Sequence, residues 1–164
     1  MTPPPVARLA PSRRTLIQAM PGLALTMSTL ATPALAAQAT KAITIYKTPW
    51  CGCCGAWVEH MTGAGWTATV RELEDLAPVR RRYGVPDALA SCHTGVVGSY
   101  AVEGHVPAGD VARLVRERPD VFGLTVPGMP LGSPGMPAPA GRAQAFQTLL
   151  ILKDGTTRVF ARHG

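Results

Sequence analysis

The chain has 164 residues, 16 Lys and Arg against 10 Asp and Glu, a net charge of +6 and four cysteines. That length fits one domain plus export and linker segments. The positive charge has no long basic run behind it, which argues against nucleic acid as a partner.

The first stretch reads as a targeting signal. Arg8, Arg13 and Arg14 precede an apolar run from Leu16 to Leu30, and Ala34-Leu35-Ala36 offers small residues at a cleavage site. The apolar run is about 15 residues, short for a membrane span. Residues 1–36 are therefore expected to be a cleaved signal peptide, with an uncleaved N-terminal anchor as the alternative. Ser12-Arg13-Arg14-Thr15-Leu16-Ile17 matches the twin-arginine pattern, which implies a periplasmic destination; an ordinary secretory signal with two adjacent arginines is the competing reading. The signal holds three Arg and no acids, leaving 13 basic and 10 acidic side chains, a net charge of +3, and no membrane association after its removal. Residues 37–164 are then expected to form one domain.

Ala42 to Tyr46 has the β-branched and aromatic content of a strand. Thr48-Pro49-Trp50-Cys51-Gly52 breaks it, and a helix is predicted to open at Cys53 or Cys54 and run to about Met61. Trp66 to Val70 reads as a second strand. Asp75 is a plausible N-cap for a short helix with Pro78 in its first turn, stopped by Gly84. Arg80-Arg81-Arg82 in that helix is expected to be a solvated face. His93 to Val102 predicts two short strands joined at Gly98. A helix is expected after Pro107, with Val111, Leu114 and Val115 as its apolar stripe. Residues 123–141 are rich in Gly and Pro, with Pro-Gly-Met-Pro at 127–130 repeated at 134–137, and predict a loop. A hairpin closes the chain, from Thr148 to Lys153 and from Thr156 to Ala161 around Asp154-Gly155. This order predicts an α/β fold: a thioredoxin-like mixed sheet with flanking helices, plus a C-terminal β-hairpin extension.

Cys51-Gly52-Cys53-Cys54 puts three thiols within four residues. A helix beginning there offers free amides and a dipole that favour thiolate. Cys51 and Cys54 alone have the spacing of a thiol–disulfide redox pair. One bridge between them would leave Cys53 to find Cys92. A soft metal accounts for the whole set better, because Cu(I) accepts two or three thiolates and lets sulfurs bridge several ions. A single tetrahedral zinc site would use Cys51 and Cys54 and leave Cys53 superfluous. The metal ligands expected are therefore Cys51, Cys53, Cys54 and Cys92, holding copper(I), with His93, His105, Met129 and Met136 as possible additional donors. Three of those four have a plainer alternative: the Met side chains as anchors of their loop in an apolar groove, and His105, next to Glu103, as a hydrogen-bonding group. His60 is expected at the surface, and His163 carries no signal. Trp57 reads as core and Trp50 as a wall of the thiol site.

Five segments together resemble the periplasmic CopG-like metal-binding family: Tyr46 to Cys54, Gly84-Val85-Pro86, Ser91-Cys92-His93-Thr94, Glu103 to Ala108, and Val126 to Met136. The resemblance spans about residues 42–137. It implies a thioredoxin-like fold, a role in bacterial copper handling and resistance, and a multinuclear Cu(I)–thiolate cluster on the four cysteines. Copper ions, and other periplasmic copper-handling proteins, would be the partners. The C-terminal extension after Met136 departs from the pattern; its hairpin is expected to complete the sheet or cover an edge. The competing function is an enzyme, a thiol–disulfide oxidoreductase with Cys51 as nucleophile and Cys54 as resolving thiol.

Overall fold

The computed structural model describes residues 41–164, so the expected signal peptide and its arginine pair lie outside the described residues. Within them, β1 (Ala42–Lys47), α1 (Gly52–Gly63) and β2 (Thr67–Glu72) form a parallel crossover unit. Then come α2 (Ala77–Arg82), a 3-10 turn (Asp87–Leu89), β3 (His93–Val97), β4 (Tyr100–Gly104), α3 (Ala108–Glu117), β5 (Gly123–Val126), β6 (Phe146–Ile151) and β7 (Thr157–His163). All seven strands join one sheet in the order β2-β1-β3-β4-β5-β6-β7. The parallel β1–α1–β2 unit beside the antiparallel β3–β4 hairpin and α3 is in keeping with the thioredoxin-like arrangement. β6 and β7 extend that sheet beyond β5, so the C-terminal hairpin completes it.

Alternation along the strands assigns the two faces of the sheet. Ile43, Ile45, Val102, Leu124 and Leu150 share the main core with Trp57 and Met61 of α1 and Val111 and Leu114 of α3. Their neighbours Ala101 and Ile151 point the other way, into a smaller cluster with Val85, Tyr83 and Phe122 beside α2. On α1 the buried residues are Cys54, Trp57 and Met61, three and four positions apart, so one stripe of the helix faces the core.

Three expectations change. α1 begins at Gly52, one turn-position earlier than predicted, with Cys51 as an extended N-cap. β5 lies inside the stretch expected to be loop from residue 123. Leu124, Thr125 and Val126 are buried and pair with β4 in parallel, and a strand covered on both sides shows no alternation to read. Arg80 leaves the solvated face on which Arg81 and Arg82 remain, turning inward to Glu103. Among the described residues, no helix is long and apolar enough to cross a membrane.

Candidate metal centre

The sheet register gathers four separate segments at one end. Lys47, the last residue of β1, lies opposite His93, the first of β3. Gly104 at the end of β4 pairs with Val126 at the end of β5. The chain leaving β1 toward α1, the chain entering β3, the segment after β4 and the Gly/Pro-rich loop after β5 therefore meet. They carry, in that order, Cys51 to Cys54, Cys92, His105 and Pro134 to Met136.

All four sulfurs, from Cys51, Cys53, Cys54 and Cys92, lie within 4.8 Å of one another. The Cys53 sulfur is 3.8 Å from that of Cys51 and 3.7 Å from that of Cys92. A second convergence shares Cys92: its sulfur is 3.3 Å from His93 Nδ1 and 3.3 Å from His105 Nε2. The expected ligand set thus comes together, with both histidines attached to it through Cys92. Met129 is 42% exposed on its loop, and Met136 is half-buried.

The oxidation state differs from the expected set of four free thiols. Cys51 and Cys54 are joined as a disulfide, with Cα atoms 5.6 Å apart, while Cys53 and Cys92 are free. The cause is local: three residues' spacing at the first turn of a helix sets that Cα separation inside the range a disulfide spans. The described form is the oxidised one, in which two of the four donors are bonded to each other.

His105 is fixed from behind. Its Nδ1 is 2.7 Å from the Pro134 carbonyl oxygen, which can only accept, so Nδ1 carries the proton and the Nε2 lone pair faces Cys92. The repeat loop is pressed down to make this bond. Gly135 has φ +82° and sits where a Cβ would come within 2.7 Å of the Trp57 backbone nitrogen. The loop therefore positions an imidazole, a role the Gly/Pro repeat did not announce. Trp57 is core, as expected, and its ring also lies 4.3 Å from that of His93. Trp50 is 70% exposed and borders an open cleft of about 390 Å³ with Cys51, Glu74, Asp75, Arg80 and Cys92.

Burial governs the protonation of these groups. The Cys92 thiol is pushed up to about 12, first by desolvation and then by Cys53 beside it. Burial, with His105 second, pulls His93 down to about 3. Burial also lowers His105, against the opposing bond to Pro134. Burial thus favours the neutral thiol at Cys92 and the neutral imidazole at His93 and His105. His93 Nε2 is buried and has no hydrogen-bond partner among the described residues.

A pH dependence follows. His93 unfolded titrates near 6.5 and folded near 3, so the unfolded chain takes up the proton first. Its contribution to stability is complete above the unfolded value and is lost progressively as pH falls toward the folded one. Glu103, raised by its burial, works in the opposite direction at low pH. The metal-free chain should show urea midpoints that fall between about pH 7 and about pH 4. His93→Asn should flatten that slope; an unchanged slope would assign it to other groups.

Two histidines outside the expected set are structural. His60, expected at the surface, accepts the Ala108 amide through Nε2 at 3.0 Å and so caps α3. Pro107 has no side-chain group to cap the helix it precedes, so the cap for Ala108 comes from a residue 48 positions away. His163 Nε2 lies 2.8 Å from Asp110 Oδ2 on α3 and tethers the last strand.

Comparison with known proteins agrees with this arrangement. The family described as "protein of unknown function, DUF411" matches residues 89–136, the segment that holds Cys92, His93, Glu103, His105 and the repeat loop. No curated protein matches the chain significantly. The chain is similar to the solved structure of a copper resistance protein CopG in its form 1, with 43% identity, 74% of this chain and 96% of that one covered, and a TM-score of 0.69. Form 2 matches with 42% identity, 75% and 98% coverage, and a TM-score of 0.69. With identity at that level across nearly the whole of those structures, the chain belongs to the CopG-like family of copper-handling proteins.

Proposed function

We propose that this protein binds Cu(I) through a cluster of cysteine thiolates in its reduced state, for sequestration, transfer or resistance. The observation that carries the reading is the meeting of four sulfurs within 4.8 Å, one of them 38 residues distant from the nearest of the others. Soft thiolates select Cu(I) over harder cations. Four sulfurs so close exceed what one linear or trigonal ion uses, which favours several ions bridged by shared sulfur. His105, with its Nε2 lone pair aimed at Cys92, is the best-placed additional donor, and His93 follows it. The solved structures it resembles are of copper resistance proteins, which supports copper as the metal. Export to the periplasm by the twin-arginine route, with residues 1–36 removed, completes the proposal, and copper ions and other periplasmic copper-handling proteins are its partners.

The test is anaerobic titration of the fully reduced chain with Cu(I) against a chromophoric chelator. More than one ion per chain, with a sulfur-to-copper charge-transfer band, is the expected result. One ion or none, with all four thiols intact, would reject the cluster.

A second reading has its own observation. The Cys51–Cys54 disulfide at the head of α1, with Cys51 bordering the cleft, suits a thiol–disulfide oxidoreductase. Reduction of a protein disulfide that depends on Cys51 and Cys54 but survives Cys53→Ser would favour it.

A further inference from the structure

Beside the thiols lies a buried ion pair that metal binding does not use directly. Glu103 on β4 is fully buried. Its Oε1 accepts from Arg80 Nε at 3.0 Å and from the Ser91 amide at 2.6 Å, and its Oε2 accepts from Thr94 Oγ1 at 2.6 Å. Arg80 Nη2 donates to the Ser91 carbonyl oxygen. The pair therefore grips both backbone groups of Ser91, including the oxygen of the peptide that leads into Cys92. Through Thr94 it also holds the chain two residues after Cys92. Ser91 is pressed against the backbone as well: Gly104 has φ +71°, and a Cβ there would come within 2.7 Å of Ser91 Oγ.

Stability is a poor reason for this construction. Taking a carboxylate and a guanidinium out of water costs several kcal/mol per ion, and well-packed apolar residues often do as well or better. What the ion pair gives that apolar packing lacks is direction: four hydrogen bonds whose geometry fixes one short stretch of backbone. That stretch, between the 3-10 turn and β3, holds the one site cysteine that lies outside the α1 motif.

We propose that Arg80 and Glu103 are positioning residues for Cys92. They hold the Ser91–Cys92 peptide so that the Cys92 sulfur stands against Cys53, His93 and His105 before any metal arrives. As an account of metal binding this rests on the proposed copper function; as an account of Cys92 placement it stands on the network alone.

Two measurements separate those levels. In the oxidised, metal-free chain only Cys53 and Cys92 are free, so their alkylation rates can be compared by mass spectrometry in one sample. Arg80→Met should raise the Cys92 rate by about tenfold or more through local opening, with the Cys53 rate little changed. Arg80→Lys, which keeps a cation but not the two-pronged grip, should fall between. It also serves if the Met variant folds poorly. Equal acceleration of both thiols would show general loosening and overturn the proposal, as would no acceleration of Cys92. In the reduced chain titrated with Cu(I), Arg80→Met should give the stoichiometry and charge-transfer band of Cys92→Ser. A wild-type band in Arg80→Met would overturn the metal-binding half. Absence of copper binding by the wild-type chain would reject the copper function and leave the alkylation result to decide the placement.

Discussion

Cys92→Ser is expected to lower the affinity of the reduced chain for Cu(I) by roughly two orders of magnitude. Four-ligand structural zinc sites carry about 10–16 kcal/mol of binding free energy; on that scale one ligand is worth roughly 3 kcal/mol, and each 1.4 kcal/mol is a factor of ten. Serine fits the space but supplies no soft donor. Cys92 is also the residue that joins the two convergences: its sulfur lies 3.7 Å from that of Cys53 and 3.3 Å from His105 Nε2. Oxidation is the parallel experiment. Closing Cys51 onto Cys54 removes two donors at once, and the chain with that disulfide intact should bind roughly four orders of magnitude more weakly. Chelator competition on matched reduced and oxidised samples checks both. If Cys92→Ser binds as the parent does, the metal is held by the 51–54 motif alone and the shared cluster is wrong.

Trp57→Ala should cost about 3–5 kcal/mol of folding stability, a large share of the 5–15 kcal/mol typical of a domain. Three contacts converge on this side chain. It is fully buried in the main core, its Nε1 donates to the Val106 carbonyl at 2.9 Å, and its ring lies 4.3 Å from His93. Trp57→Phe separates them: most of the volume stays, while the Val106 carbonyl loses its donor, for about 1–3 kcal/mol. Trp50→Ala is the contrast. That side chain is 70% exposed, and its removal should change stability by less than about 0.5 kcal/mol. Urea denaturation of the three variants measures the order. Comparable losses from Trp50 and Trp57 would contradict the assignment of one to the cleft and the other to the core.

Oxidised and reduced forms of this chain differ in more than charge. With Cys51–Cys54 closed, the remaining thiols are Cys53 and the strongly desolvated Cys92. Opening the disulfide restores two thiols at the head of α1. The first turn there has no side-chain cap, so its free amides favour thiolate. The same bond thus sets whether two thiols or four are free at this end of the sheet. This is why the copper-binding and the oxidoreductase readings meet at one pair of residues, and why redox state must be controlled in any test of either.

Much of this could be read from the residues in order. β1 and the two hairpins announced themselves by β-branched content and turn residues, because strand pairing and tight turns leave local marks. The crowding of Cys51, Cys53 and Cys54 was a local fact that needed no fold, and Pro107 and Gly84 marked where helices start and stop. β5 was not legible, since four buried residues bounded by Gly and Pro look like the loop that follows them. Nor was the burial of Arg80: in a run of three arginines nothing local says which one meets a carboxylate 23 positions away. His60 and His163 gave no signal for the same reason, as their partners Ala108 and Asp110 lie far along the chain.

The sequence by itself determined the donor chemistry: soft sulfur at helix-opening spacing, with imidazoles and thioethers further on. Only the tertiary structure decided which of these meet. Strand register brings Cys92 to Cys53, the Pro134 carbonyl turns the His105 lone pair toward sulfur, and the first turn of α1 sets Cys51 within disulfide reach of Cys54. Side-chain chemistry belongs to each residue alone, whereas convergence depends on pairings between strands that no local stretch encodes.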